Sequence, residues 1–210
     1  RVPFLLSKLF GYDLTKKTTW IPHHTCHSAS AFLVSPFKES AILSIDGIGE
    51  FSSTGLGYGK NNLMTLIKKI DYPNSIGFLW EKMSQYVGFT EYDSSKVMGL
   101  AAYGDANRFY PTFQRIVTLL PEGEFTIDND IMRFRVSDFS QIENMFGVKK
   151  IGSPSDIRKD QEDISAALQK ITDDVVIHMA RFLKEHTGSK NLCLAGGVAL
   201  NCVSNGSLMN

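Results

Sequence analysis

No apolar stretch in these 210 residues approaches the roughly 20 consecutive residues that a membrane-spanning helix requires. Runs such as residues 41–43 and 192–194 are short, so no membrane segment is expected. Cysteine is equally sparse: Cys26, Cys193 and Cys202 are odd in number and form no CxxC pair. That argues against a disulfide scaffold and suits a reducing compartment, with the cytoplasm as the expected location. Excess charge of either sign is missing too, because 22 Lys plus Arg balance 22 Asp plus Glu. No net field favours nucleic acid or an anionic membrane. Repeats and low-complexity tracts are lacking. No signal-peptide pattern follows Arg1, and residues 201–210 have no tail-like composition. An excised fragment is expected, whose isolated activity is not.

What is present is a core: 43% of the residues are apolar, enough for one ordinary domain or two small lobes. Residues 20–32 read as a helix with Pro22 in its first turn, and Pro36 lies just beyond. Residues 41–46 read as a buried strand running into Gly47-Ile-Gly49. Residues 51–59 and 63–72 follow as strands around a hairpin at 59–62, completing a three-stranded meander. Residues 74–88 and 94–103 have helical patterning, and short strands are expected near 124–128 and 132–136. A long helix begins near Asp160, with Asp163 at its third position and Ile164, Leu168, Ile171, Val175, Met179 and Phe182 on one face. Gly188 ends it. A strand at 191–195, then Gly196-Gly197, then a helix from about Val198 make an α/β unit.

Chemistry concentrates in three places. His23 and His27 stand four apart on a helix, so both imidazoles share one face and can chelate one ion. The plain alternative is a pair of histidines lining a helix end, because two ligands do not complete a site. Asp46, at a strand end before Gly47-Ile-Gly49, is the candidate third ligand, with an Asx turn as an equal alternative. Gly47 and Gly49, with the small residues Ser52, Ser53, Thr54, Gly55 and Gly57, allow backbone N–H groups to approach a phosphate, or simply serve tight turns. Gly196 and Gly197 sit at a strand-to-helix junction, where close approach of a nucleotide and a helix start favour negative charge. His24 lies about 100° around the helix from His23 and so off the metal face; it is a candidate acid/base group. Cys26 reads as packing and not as a nucleophile. His178, Trp20 and Trp80 read as packing residues.

Taken in order, His23-His-Thr-Cys-His27, Asp46-Gly-Ile-Gly-Glu50, Lys96-Val-Met-Gly-Leu-Ala-Ala-Tyr-Gly104 and Gly196-Gly-Val-Ala-Leu-Asn201 resemble the O-carbamoyltransferases of nodulation and antibiotic biosynthesis, from about Pro3 to the end. The resemblance implies an α/β, actin/Hsp70-like (ASKHA) fold related to the enzymes that make threonylcarbamoyl-adenosine on tRNA. It implies a partial N-terminal domain incomplete at both ends, with a first lobe over about 1–105 and the start of a second over about 106–210. It also implies a reaction in which carbamoyl phosphate and ATP give a carbamoyl-adenylate, made by a synthase-like C-terminal domain of the parent chain, whose carbamoyl group passes to an acceptor hydroxyl. His23, His27 and Asp46 match the metal ligands, with iron usual and zinc the other candidate, and a further aspartate is expected beyond Asn210. Gly196, Gly197 and Asn201 match nucleotide contacts, and Lys96 lies where the tRNA enzymes place residues near the nucleotide, though a helix-surface lysine is the plain reading. His24 is the candidate base. Ser28 stands where Ala is usual and Ser95 where Gly is usual.

Three rival readings remain. One is an actin-like ATP-dependent kinase, against which the paired imidazoles argue, because kinases hold Mg²⁺ by oxygen ligands. Another is a non-catalytic nucleotide-binding fragment. The third is a tRNA-modifying enzyme of the same fold with a different acceptor, against which neutral net charge weighs.

Overall fold

Strand β1 (Glu39–Gly49) organises the molecule, because its side chains alternate between two differently covered faces. In the computed structural model, which describes residues 1–209, β1 pairs antiparallel with β2 (Ser52–Lys60), and β2 with β3 (Leu63–Asp71). The expected meander is therefore present. β6 (Leu192–Ala195) lies parallel to β1, giving the order β3-β2-β1-β6 in an α/β fold. Ala41, Leu43 and Ile45 turn into the main core. Ile42 and Ser44 turn the other way, to helix α2 (His23–Phe32), which follows a first helix, α1 (Val2–Phe10), in the chain. Helix and sheet come close there because β2 offers glycines: a Cβ at Gly59 would lie 2.4 Å from the Phe32 ring, and one at Gly55 3.3 Å from His24. Gly55 thus makes room for a helix and not for a phosphate.

The core side of the sheet is covered by α3 (Ile76–Tyr86) and above all by the 29-residue helix eventually followed by β6, against which α4 (Ser94–Ala101) and α5 (Ala106–Ile116) pack in turn. Between α5 and that helix stand β4 (Val117–Leu119), β5 (Phe125–Ile127), α6 (Asn129–Met132) and α7 (Ser140–Phe146); the long helix is α8 (Lys159–Thr187). Ile164, Leu168, Ile171, Val175 and Met179 of α8 are buried as expected, and each buried aliphatic side chain contributes roughly 1.5–3 kcal/mol. The helix stops at Gly188 in a left-handed conformation, whose N–H reaches the Lys184 carbonyl. The first and later halves share one core, since β6 joins β1 and the α8 face packs with residues of β1 and α3.

Several local expectations are corrected. The first predicted helix starts at His23 with Pro22 outside it, so Trp20 is 71% exposed and not a packing residue; Trp80 is buried and donates to Thr172 Oγ1 at 2.9 Å. Cys26 is exposed rather than packed. Residues 132–136 form no strand: Asp128 caps α6 by accepting from the Asp130 and Ile131 N–H groups, and Arg133 then turns the chain at φ 45°. At the start of α8 the third position is Gln161, whose Oε1 accepts the Arg158 N–H at 3.0 Å. Asp163 instead accepts the Asp105 N–H at 2.7 Å and pairs with Arg108 and Lys159 at 3.2 Å each. No described helix is long and apolar enough to cross a membrane.

Burial alone would raise the Asp163 carboxyl, but the Asp105 N–H, Arg108 and Lys159 outweigh it and hold it below the ordinary 3.8. Its stabilisation is thus present above 3.8 and is lost as pH falls through the lower folded value. Asp163→Ala also orphans the Asp105 N–H, so denaturant titration at neutral pH is expected to show a loss of about 1–3 kcal/mol. The gap between variant and wild type should close in acid; an unchanged gap would refute the assignment.

Candidate metal and nucleotide site

The alternation of β1 that sends Ile42 and Ser44 to α2 sends Asp46 there as well, and the sheet delivers it to the helical histidine pair. His23 Nε2 and His27 Nε2 lie 2.9 and 2.8 Å from the same oxygen, Asp46 Oδ2. Their rings meet edge to face with centroids 4.5 Å apart. The other carboxylate oxygen, Oδ1, accepts the Gly47 N–H at 2.9 Å. Burial pushes the Asp46 carboxyl up, but the hydrogen bonds from His23, the Gly47 N–H and His27 together hold it below the usual carboxylate range. The three ligand atoms all lie within 4.8 Å of one another, and all three residues are half-buried. Two imidazoles and one carboxylate on one side suit iron(II) or zinc and not magnesium. The donor set therefore fits the implied metal.

Gly49, expected to approach a phosphate, has another use. A Cβ there would fall 2.2 Å from the His23 ring, so only glycine lets β1 pass beneath that imidazole. His24 is also placed differently from expectation. It is buried, its Nε2 meets the Ser52 carbonyl at 3.0 Å and its Nδ1 meets Ser44 Oγ at 2.8 Å. A carbonyl only accepts, so Nε2 carries the proton and Nδ1 accepts from the serine. Burial lowers its pKa further, against the opposing Ser52 bond. With both nitrogens engaged, His24 fastens α2 to the sheet and has no lone pair turned toward a substrate.

On its other side Asp46 borders a cavity of about 360 Å³, with Gly47, Glu81, Glu91, Ser95, Gly197 and Asn201 among its walls. That volume lies at the low end for small-molecule pockets. Ser75, the N-cap of α3, holds its rim by donating to the Gly47 carbonyl at 2.6 Å. Gly47, Gly197 and Asn201 are thus brought together with the metal face. Gly196 is not among the cavity walls, and a Cβ there would fall 2.2 Å from the Ile45 carbonyl oxygen. The chain after it is a short 3-10 turn, Gly197–Leu200, and then α9 (Cys202–Ser207), shorter than the helix expected from Val198. Lys96 is not at the cavity; it is exposed and pairs with Asp93 at 2.7 Å.

Glu81 escaped the sequence reading. It is half-buried in the cavity wall with no hydrogen-bond or ion-pair partner among the described residues. Burial, and next the neighbouring Glu91, raise its pKa. Its only sequence mark is a position one turn beyond Gly77 on a helix predicted from patterning, which says nothing about chemistry.

Residues 6–210 match the family described as Carbamoyltransferase N-terminus. The chain belongs to that family. It is 36% identical to Nodulation protein NolNO of Sinorhizobium fredii, over 98% of this chain and 29% of the relative. It is 35% identical to Nodulation protein NolO of Bradyrhizobium diazoefficiens, over 89% of this chain and 33% of the relative. An uncharacterized protein of Synechocystis is 36% identical over 89% of this chain and 31% of its own length. This carbamoyltransferase N-terminus therefore spans about a third of the relatives it matches.

Proposed function

We propose that this chain is the metal- and nucleotide-holding part of an O-carbamoyltransferase with an actin/Hsp70-like fold. A carbamoyl-adenylate, made from carbamoyl phosphate and ATP by a synthase-like domain of the same parent chain, gives its carbamoyl group to a small-molecule hydroxyl. The acceptor oxygen bonds to the carbamoyl carbon, the carbon–oxygen bond to the phosphate breaks, AMP leaves, and the hydroxyl proton passes to a base. The observation that carries the reading is the double position of Asp46, which belongs to the histidine triad on one side and to the cavity wall on the other. A meander followed by a long helix and a parallel strand ending in Gly196-Gly197 supports the fold.

Iron or zinc held by His23, His27 and Asp46 would supply Lewis acidity toward a carbonyl or phosphoryl oxygen. The chain's own residues do the rest. Gly47 and Gly197 leave space for the nucleotide, and Asn201 offers it a fixed polar group. Glu81, free in the wall, takes the place of His24 as the base for the acceptor. The kinase reading is disfavoured, because the only cluster of potential metal ligands among the described residues includes two imidazoles.

Calorimetric titration with AMP tests the proposal. We expect saturable binding that Gly197→Val weakens at least about ten-fold, because its side chain would enter the cavity beside Asp46 Oδ1, only 3.1 Å from a Cβ. Absence of AMP binding, or indifference to Gly197→Val, would overturn the nucleotide reading.

A further inference from the structure

Asn201 reaches the cavity at the end of a chain of buried polar groups whose polarity is set elsewhere. Asp173 of α8 is half-buried and accepts from Gln169 Nε2 at 2.7 Å and from Ser204 Oγ at 2.6 Å on one oxygen, and from Ser207 Oγ at 3.3 Å on the other. Gln169 Nε2 also meets Ser204 Oγ at 3.0 Å, and its Oε1 accepts from Asn201 Nδ2 at 3.0 Å. Asn201 Oδ1 accepts the Ser204 N–H at 3.0 Å. Gln169, Asn201 and Ser204 are all buried.

An ionised carboxylate only accepts, so Asp173 must face the amide nitrogen of Gln169, which leaves Oε1 for Asn201. Asn201 must then turn Nδ2 to Gln169 and Oδ1 to the Ser204 N–H. The second Nδ2 hydrogen is the donor left for the cavity. Apolar packing does not perform this positioning: α9 has six residues, and Ser204 is its one buried residue. A helix so short has little stability of its own.

We propose that Gln169 and Asp173 are positioning residues that lock the Asn201 side-chain amide as a hydrogen-bond donor toward an acceptor atom of the nucleotide. The inference rests on the nucleotide reading above but makes a separate claim about α8. Neither residue touches the cavity; both act through Asn201.

The test pairs AMP calorimetry with the side-chain amide signals of Asn201 in a ¹H–¹⁵N spectrum, on wild type, Gln169→Leu and Asp173→Asn. In wild type the Asn201 amide protons should exchange slowly. Gln169→Leu should speed their exchange and raise the AMP dissociation constant about ten-fold, the net worth of one oriented hydrogen bond. Asp173→Asn, which can itself donate and so frees Gln169 to flip, should do the same by a smaller factor, and it serves if Gln169→Leu does not fold. Wild-type AMP affinity in both variants would overturn the positioning role even if AMP binds. If AMP binds no variant and not the wild type, the nucleotide reading fails, and slow Asn201 exchange persisting in Gln169→Leu would then overturn the relay on its own.

Discussion

The chain purified with iron or zinc is expected to lose it when His23 and His27 are both changed to alanine, with at least about a 100-fold fall in metal affinity, more than loss of an outer-shell partner costs. The size follows from the geometry. Both imidazoles project from the first turns of α2 and converge on one oxygen of Asp46, so the double change leaves a single protein ligand out of three. The fold should survive, because the two histidines are only partly buried, with 39% and 29% of their side-chain surface exposed. His24→Ala should behave in the opposite way. It removes no ligand but orphans the buried Ser44 hydroxyl and the Ser52 carbonyl, at about 1–3 kcal/mol for each unsatisfied group. Elemental analysis beside thermal unfolding separates the two: metal lost with stability kept in the double variant, stability lost with metal kept in His24→Ala. Equal metal content in all three proteins would remove the triad from consideration.

Gly196→Ala is the change expected to hurt folding most. Gly196 has φ 91° and ψ 171°, a region essentially closed to other residues at a cost of about 1–3 kcal/mol. The new methyl would lie 2.2 Å from the Ile45 carbonyl oxygen, so β6 would have to draw away from β1 where the two are paired. Strain and lost pairing together come to roughly 4 kcal/mol, a large share of the 5–15 kcal/mol that holds a domain folded. A fall in melting temperature of roughly 10 °C is expected. Gly197→Ala, one residue on, meets only Asp46 Oδ1 at 3.1 Å and should leave the melting temperature near wild type. A stable Gly196→Ala protein would mean that β6 does not hold the position described.

Period and punctuation made much of this fold legible. The apolar run at residues 41–46 and the i, i+4 spacing of His23 and His27 predicted a buried strand and a helix that carry the three candidate ligands, and the structure brings those ligands together. Gly188 closed α8 where its position said it would. Local pattern failed where long-range contacts decide. Trp20 lies outside α2 because Pro22 stands outside the helix it was expected to start. α5 contains Pro111, a residue that ordinarily argues against a helix interior. The relay from Asp173 to Asn201 joins residues 28 apart in sequence through Gln169, and Glu81 gains its meaning from a cavity closed by Gly197 and Asn201. The glycine-rich turn suggested Gly49 as a phosphate neighbour and the resemblance put Lys96 near the nucleotide, whereas the geometry gives one to the His23 ring and the other to a surface ion pair.

The pairing of β1 with β6 also sets an order of assembly. His23, His27 and Asp46 lie within one short stretch of chain, joined by a helix, a turn and a strand. Ile42 meets Cys193 in the parallel ladder, across a loop of about 150 residues whose closure must wait until the long helix has packed. During synthesis from the N-terminus all three ligand residues therefore leave the ribosome well before Gly197 and Asn201. An ion captured early would meet its ligands with one wall of the neighbouring cavity still missing.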